Sequence, residues 1–209
     1  MASGTRPSRT SPKAPVRARG VRTRAALIDA ARRVFERDGY LEARVADIAA
    51  AAGVAHGSFY TYFDSKDDVF REMVTGVMDD FLAALDEGLP GTGAERIRAA
   101  IRRYLELYRR RAPILGVVEQ VGALASFHEL RRQLRHRSVQ RLERLIRGLA
   151  ADGEARLQDL DAHALAWALV GMLDTFAYAW FVLGEPFDEP AAEAALDAIW
   201  LRALGLQTP

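Results

Sequence analysis

Apolar side chains recur at steps of three and four along almost the whole chain, and neither period-two alternation nor a hairpin turn signal interrupts them. The pattern predicts an all-α protein. A first helix over about residues 22–38 turns Leu27, Ala31, Val34 and Phe35 inward and Arg32, Arg33 and Arg37 to water, and Gly39 stops it. Two short helices follow. In residues 45–52, Val45, Ile48, Ala49 and Ala52 share one face. Gly53 can take positive φ without steric cost, as a sharp turn requires, and Val54, apolar in the turn itself, is expected to be buried between the two helices. Residues 56–63 put Phe59 and Phe63 four apart on an inner face and leave His56, Ser58, Tyr60, Thr61 and Tyr62 mostly outside. Two short helices joined by a glycine turn make a helix-turn-helix, whose second helix can enter the major groove of DNA.

The remaining pattern is longer in wavelength. Asp64 or Ser65 is a polar N-cap for a helix over about residues 66–85, in which Val69, Phe70, Met73, Val77, Phe81 and Leu85 form one apolar face. The run GLPGTG at residues 88–93 reads as a linker. Ile97, Ile101, Tyr104, Leu105 and Tyr108 mark a helix closing on Arg109, Arg110 and Arg111, and Pro113 reads as the first turn of a separate helix reaching Leu124. Two further amphipathic helices are expected over about residues 127–151 and 191–204. Between them, residues 162–183 are nearly apolar throughout and long enough to cross a bilayer. His163 and Asp174 lie inside that run, and a carboxylate in mid-membrane costs about 2.5 kcal/mol or more, so a buried helix of a soluble protein is expected and no membrane partner.

Charge divides the chain. Residues 1–63 carry 11 Lys and Arg against 5 Asp and Glu, whereas the remainder carries 18 against 23. A basic module that meets a polyanion, followed by a body that does not, fits this division. Residues 1–20, rich in Pro, Ser, Gly and Arg and free of acids, read as a disordered basic arm. Residues 21–66 then form the helix-turn-helix DNA-binding domain and residues 67–209 the larger body. Without cysteine there is no disulfide framework or thiol nucleophile, and with no apolar leader the expected location is cytoplasmic.

The side chains of the second short helix suit DNA. Gly57 lets the backbone come close, while Ser58 and Thr61 can bond to phosphates or base edges. Tyr60 and Tyr62 reach phosphate oxygens, His56 can meet a phosphate or a base edge, and Lys66 sits at a helix start as an anion site. The run from Gly39 to Val69, with DIAAAAGV, GSFYTYF and the following SK, resembles the DNA-binding domain of TetR-family transcriptional regulators. The resemblance covers about the first third of the chain. It implies a three-helix DNA-binding domain, a helical ligand-binding and dimerisation domain, and a dimeric repressor released from its operator by a small molecule. The chain departs from the family pattern at two places. Ala43 and Arg44 stand where Ser or Thr is common, which removes a neutral cap and adds a cation that reaches phosphate; Ala55 and His56 stand where Ser-Lys is common. If His56 touches phosphate, operator affinity falls as pH rises through the ordinary histidine range, and an affinity that stays flat from about pH 6 to pH 8 excludes that contact.

Specific binding by such a small reader needs two copies about 34 to 36 Å apart. The last two helices, with small residues at Ala164, Ala168, Gly171 and Ala179 and apolar ones at Leu196, Ile199, Trp200, Ala203 and Leu204, are expected to form a homodimer. Candidate walls of an effector pocket are Tyr104, Tyr108, Val118, Val121, Leu124, Trp167, Met172, Phe176, Tyr178 and Trp180, with Glu119, Gln120, His128 and Asp174 as polar anchors. Their apolar excess favours a lipophilic or aromatic effector. His128, His136 and His163 do not make a metal-ligand spacing, so neither metal nor cofactor is expected. The alternatives are a helical protein-interaction adaptor and, against the absence of a phosphate loop or nucleophile elbow, an all-helical enzyme.

Overall fold

The computed structural model describes residues 16–86, 88–122 and 124–206, which are helical or irregular, with no strand among them. In order they form α1 (Val16–Glu42), α2 (Val45–Ala51), α3 (His56–Phe59), α4 (Lys66–Asp86), α5 (Gly93–Val121), a 3-10 turn (Ala125–Phe127), α6 (His128–Ala151), α7 (Ala162–Phe181) and α8 (Glu189–Ala203). Residues 1–15 of the expected basic arm lie outside the described residues. Residues 16–20, expected in that arm, instead begin α1. Gly39, at φ 74° and ψ 169°, breaks the helical path of α1 where the sequence placed its end, and the chain beyond it carries Tyr40 into the core.

Two apolar cores hold the helices together, and their border does not follow the border of the DNA-binding domain. The first packs α1 to α4 through Leu27, Phe35, Ile48, Phe59, Phe63 and Phe70, and it also takes Ile114, Val117 and Val121 from α5, Phe127, and Leu134 from α6. The second lies among α4 to α8, with Phe81, Ile101, Ile146, Leu173, Leu196 and Trp200 at its centre. Helices α4 and α5 run through both.

This explains the largest departure from the sequence pattern, since α5 continues unbroken through Pro113. An interior proline removes one backbone hydrogen bond and costs about 3 kcal/mol. Burying Ile114, Val117 and Val121 beyond it returns about 1.5–3 kcal/mol each. Two short helices with a break would strand those side chains, so the continuous helix wins. At its start, Thr92 and Glu95 form a reciprocal capping box.

Helix α7 departs in another way. It is long and apolar enough to cross a membrane, with a mean hydropathy of 1.4. Ala162, Ala166, Leu169, Val170, Leu173 and Ala177 face the second core, but Ala164, Trp167, Ala168 and Thr175 are exposed. The helix is therefore not buried all round, and it keeps an outward face of small residues beside Trp167. Helix α8 likewise leaves Ala194, Ala195 and Ile199 exposed while Leu196, Trp200 and Leu201 point inward, so Leu196, Trp200 and Leu204, expected in the dimer interface, belong instead to the core of the single chain.

Candidate nucleic-acid interface and effector chambers

Helix α2 stands on Ile48 and Ala49, both buried, and turns at Gly53, whose φ of 70° is the left-handed conformation the turn needs. The Val54 amide donates back to the Ala49 carbonyl at 3.0 Å, which closes the turn over the core. Helix α3 is shorter than the sequence pattern: it is α-helical only from His56 to Phe59, and residues 60–62 continue as tighter turns, with Tyr62 N–H donating to the Phe59 carbonyl at 2.9 Å. Phe59 and Phe63 stay buried, as their spacing predicts.

Six candidate contact residues reach the surface together. His56, Gly57, Tyr60 and Thr61 are exposed, Ser58 and Tyr62 are half-buried, and the His56 and Tyr60 rings meet edge to face with centroids 5.5 Å apart. Arg44, also exposed, is the N-cap of α2 and its side chain makes no capping bond there; Ala55 likewise leaves α3 without a side-chain cap. Tyr62 lies against the start of α1, because a Cβ on Gly20 would stand 3.9 Å from its hydroxyl.

Lys66 has a different occupation from the one its position predicted. Its ammonium donates to the backbone carbonyls of Tyr40 at 2.7 Å, Leu41 at 3.2 Å and Ala43 at 3.0 Å, and lies 4.5 Å from the centre of the Tyr40 ring. Those carbonyls close α1 and the link to α2, where no helical amide follows to bond them. All three ammonium hydrogens are thus engaged, so a phosphate contact there requires giving one up. Ser65, by contrast, caps α4 as expected, accepting from the Asp68 amide at 3.2 Å. Lys66→Met, which keeps the stem and removes the donors, is expected to lower unfolding stability by about 1–3 kcal/mol in a urea titration. Unchanged stability with lost operator binding would return Lys66 to a phosphate role.

Deeper in the body, two adjoining chambers lie among α4, α5, α6, α7 and α8. The first, about 590 Å³ including space open to solvent, is walled mainly by Leu85, Ile97, Ile101, Leu142, Val170 and Trp200. The second, about 660 Å³ on the same basis, adds Met78, Tyr108, Val118, Glu119, Arg131 and Arg135. Phe81, Tyr104, Ser138 and Asp174 line both. Within this shared wall the Tyr104 hydroxyl donates to Asp174, which is also paired with Arg135. Burial raises the Asp174 carboxyl above its ordinary value, against the opposing pull of Arg135 and of the Tyr104 hydrogen bond. Burial also pushes the Tyr104 hydroxyl up, with Asp174 adding to the effect, so this phenol stays a proton donor.

The chambers accept five of the residues that the sequence proposed for them: Tyr104, Tyr108, Val118, Glu119 and Asp174. The others are elsewhere. Val121 is buried in the core of the DNA-binding domain. Leu124 and His128 are exposed where α5 turns into α6, and Gln120 faces a surface recess beside Phe35 and Gly39. Trp167 is exposed, its indole donating to His163 at 3.1 Å. Phe176 stacks on Phe187 and Trp180 on Phe181, away from both chambers, while Met172 and Tyr178 are half-buried against the second core. Phe81, Arg135, Ser138 and Trp200 were missed as chamber residues. Helical spacing puts Phe81 and Trp200 on apolar faces, which does not distinguish a cavity wall from packed core, and it carries no inward signal for Arg135 or Ser138.

A reading face built on a helix-turn-helix, joined through α4 to a helical body with internal chambers, is the arrangement that the motif resemblance implied. Residues 27–73 match the family of bacterial regulatory proteins, tetR family. Residues 90–196, more than half of the chain, match the tetracyclin repressor-like C-terminal domain. The chain belongs to the TetR family. It is thereby a DNA-binding, ligand-responsive transcriptional regulator. This TetR-family protein is 25% identical over 167 residues to the fatty acid metabolism regulator protein of Bacillus subtilis (strain 168), a match covering 78% of this chain and 85% of that one. Among solved structures, the fatty acid degradation regulator FadR from Bacillus halodurans has a TM-score of 0.71 at 24% identity, covering 94% of this chain and all of that one. The transcriptional regulator FadR from Bacillus subtilis in complex with stearoyl-CoA has a TM-score of 0.68 at 22% identity, covering 86% of this chain and 98% of that one. These likenesses establish the fold.

Proposed function

We propose that this regulator is a repressor that binds a palindromic operator as a homodimer, with α3 and the turns after it in the major groove, and that a small lipophilic or aromatic effector in the chambers releases it. The carrying observation is the place of the chambers, whose walls include Met78, Phe81, Leu82 and Leu85 of α4, the helix that begins at Lys66 beside the reading face. An effector that favours a different tilt of α4 by about 1–3 kcal/mol lowers operator affinity measurably. The largely apolar lining of the first chamber favours a lipophilic molecule. Two similar proteins are named for fatty acid regulation and one is in complex with stearoyl-CoA, so long-chain acyl thioesters are the first compounds to try.

The dimer rests on the outward faces of α7 and α8, where Trp167 is 39% and Ile199 48% exposed among small residues. Large apolar side chains exposed on two neighbouring helices are suited to an association surface. Ile199→Glu is expected to give monomers by sedimentation, with helical content retained by circular dichroism, a melting temperature that no longer depends on protein concentration, and much weaker operator binding; a variant that still sediments as a dimer refutes the assignment. The whole reading is tested by selecting bound sequences from a random duplex pool and adding effectors to the complex. Binding without sequence preference, or with no steep loss between about 50 and 200 mM salt, counts against it.

A further inference from the structure

Phe81, Tyr104, Ser138 and Asp174, which line both chambers, come one each from α4, α5, α6 and α7. Together they form a waist between two spaces of different character. The buried apolar residues of the first chamber, Leu85, Ile101, Leu142 and Trp200 among them, belong to the core of the body. The second chamber reaches the core of the DNA-binding domain: Leu134 is part of that core, and Met78 and Val118 pack against it. The waist therefore separates a remote apolar space from one that borders the reading module.

Three of the four waist residues are held in place. Phe81 is 5% exposed in the core, the Ser138 hydroxyl donates back to the Leu134 carbonyl at 3.4 Å, and Asp174 is paired with Arg135. Tyr104 is half-buried, and among the described residues its hydroxyl has one hydrogen bond, to Asp174. Asp174 keeps Arg135 when the phenol leaves, so the ring can swing aside without stranding a buried charge. The ring also meets Phe81 of α4 edge to face, with centroids 5.0 Å apart. A ligand that displaces Tyr104 thus acts on α4, the helix that begins beside the reading face.

We infer that Tyr104 is a gate between the chambers and the residue that reads effector length: an elongated apolar molecule that stops in the first chamber leaves the operator bound, and one that passes Tyr104 into the second chamber releases it. This rests on the reading of the chambers as the effector pocket and narrows it. A straight chain gains about fourfold in affinity for each methylene it buries. At the waist it must break the Tyr104–Asp174 bond, a loss that about two to four methylenes buried beyond the waist offset. Length is therefore read as a step rather than a slope.

The test titrates full-length protein with the straight-chain primary alcohols from hexanol to tetradecanol. Calorimetry reads binding, and fluorescence anisotropy reads release of a selected operator duplex. Wild-type affinity is expected to rise about fourfold per methylene, pause for about two to four members, and rise again, with release beginning only beyond the pause. Tyr104→Ala should remove the pause and begin release with a shorter alcohol. Tyr104→Phe, which keeps the ring and loses the bond, should show a shallower pause at the same length. Leu142→Ala, which widens the first chamber away from the waist, should not move release to a shorter alcohol. An even rise across the wild-type series, or a Tyr104→Ala protein that keeps the wild-type pause and threshold, overturns the gate. If Tyr104→Ala fails to fold, Tyr104→Phe decides, and a pause of wild-type depth overturns it. Ile101→Trp, which fills the first chamber, checks where the alcohols bind. Release that follows occupancy of the first chamber at every length removes the gate and leaves the effector pocket standing; if no alcohol binds in either chamber, the gate falls, and if another ligand then releases the operator from elsewhere, the pocket falls with it.

Discussion

Gly57→Glu is expected to lower operator affinity at least about a hundredfold without destabilising the protein. Gly57 is exposed on α3, its φ lies outside the left-handed region, and a Cβ built on it meets nothing within 4 Å. The fold therefore has no need of glycine there, and an acid in the first turn of a helix is favoured by the helix dipole. The folded protein should accept the change within about 0.5 kcal/mol. On DNA the same carboxylate is brought among phosphates, and like charges held together at an interface cost several kcal/mol. In a dimer both reading helices carry the change. Fluorescence anisotropy at fixed salt, run beside a thermal melt, separates the two effects. Gly57→Ala is the control: it adds a methyl without charge and raises helix propensity by about 0.5–1 kcal/mol. Near-normal affinity of Gly57→Glu would mean that α3 does not face the DNA.

Phe127→Ala is expected to remove about 3–5 kcal/mol of stability, a large part of the 5–15 kcal/mol that holds a typical domain folded. Phe127 lies just before α6, in the body by sequence, yet it is 2% exposed in the core of the DNA-binding domain. Its ring meets Tyr40 and Phe70 edge to face at 5.3 and 5.1 Å, and the Arg71 guanidinium lies over it at 4.7 Å while donating to the Ser126 carbonyl. Truncation opens a cavity under this cluster and forfeits edge-to-face contacts worth about 0.5–1.5 kcal/mol each. The ring also fixes the start of α6, whose Arg131 and Arg135 line the second chamber. Phe127→Ala should accordingly weaken the effector's control of operator binding even where enough folded protein remains to bind DNA. Urea unfolding gives the stability change, and Phe127→Leu, which keeps most of the apolar volume, should lose much less. A loss below about 1 kcal/mol for the alanine variant would show that the aromatic cluster closes over the gap.

Much of the reading face is legible in the chain because it is built from neighbours. The three- and four-residue spacing of Val45, Ile48, Ala49 and Ala52, the glycine at 53, and Phe59 four residues before Phe63 specify two short helices and the turn between them with no reference to distant residues. Lys66 shows where this ends. Its position at a helix start predicts an anion site, yet the three carbonyls it bonds lie 23 to 26 residues earlier in the chain. Pro113 shows the same limit in reverse, since a local stop signal is overruled by burial against helices far from it.

Alone, the sequence determined the all-α class, the helix-turn-helix with its outward polar residues, the separation of a basic reader from an acidic body, and the TetR-family resemblance. Each of these depends on periodicity, turn chemistry or charge within a short span of chain. The tertiary structure decided that α5 is continuous, that the core of the DNA-binding domain draws on α5 and α6, and which aromatic residues line a cavity. Side-chain type and spacing show that a residue points inward. What it meets there depends on how helices from distant parts of the chain pack, as when Tyr104 of α5 and Arg135 of α6 converge on Asp174 of α7.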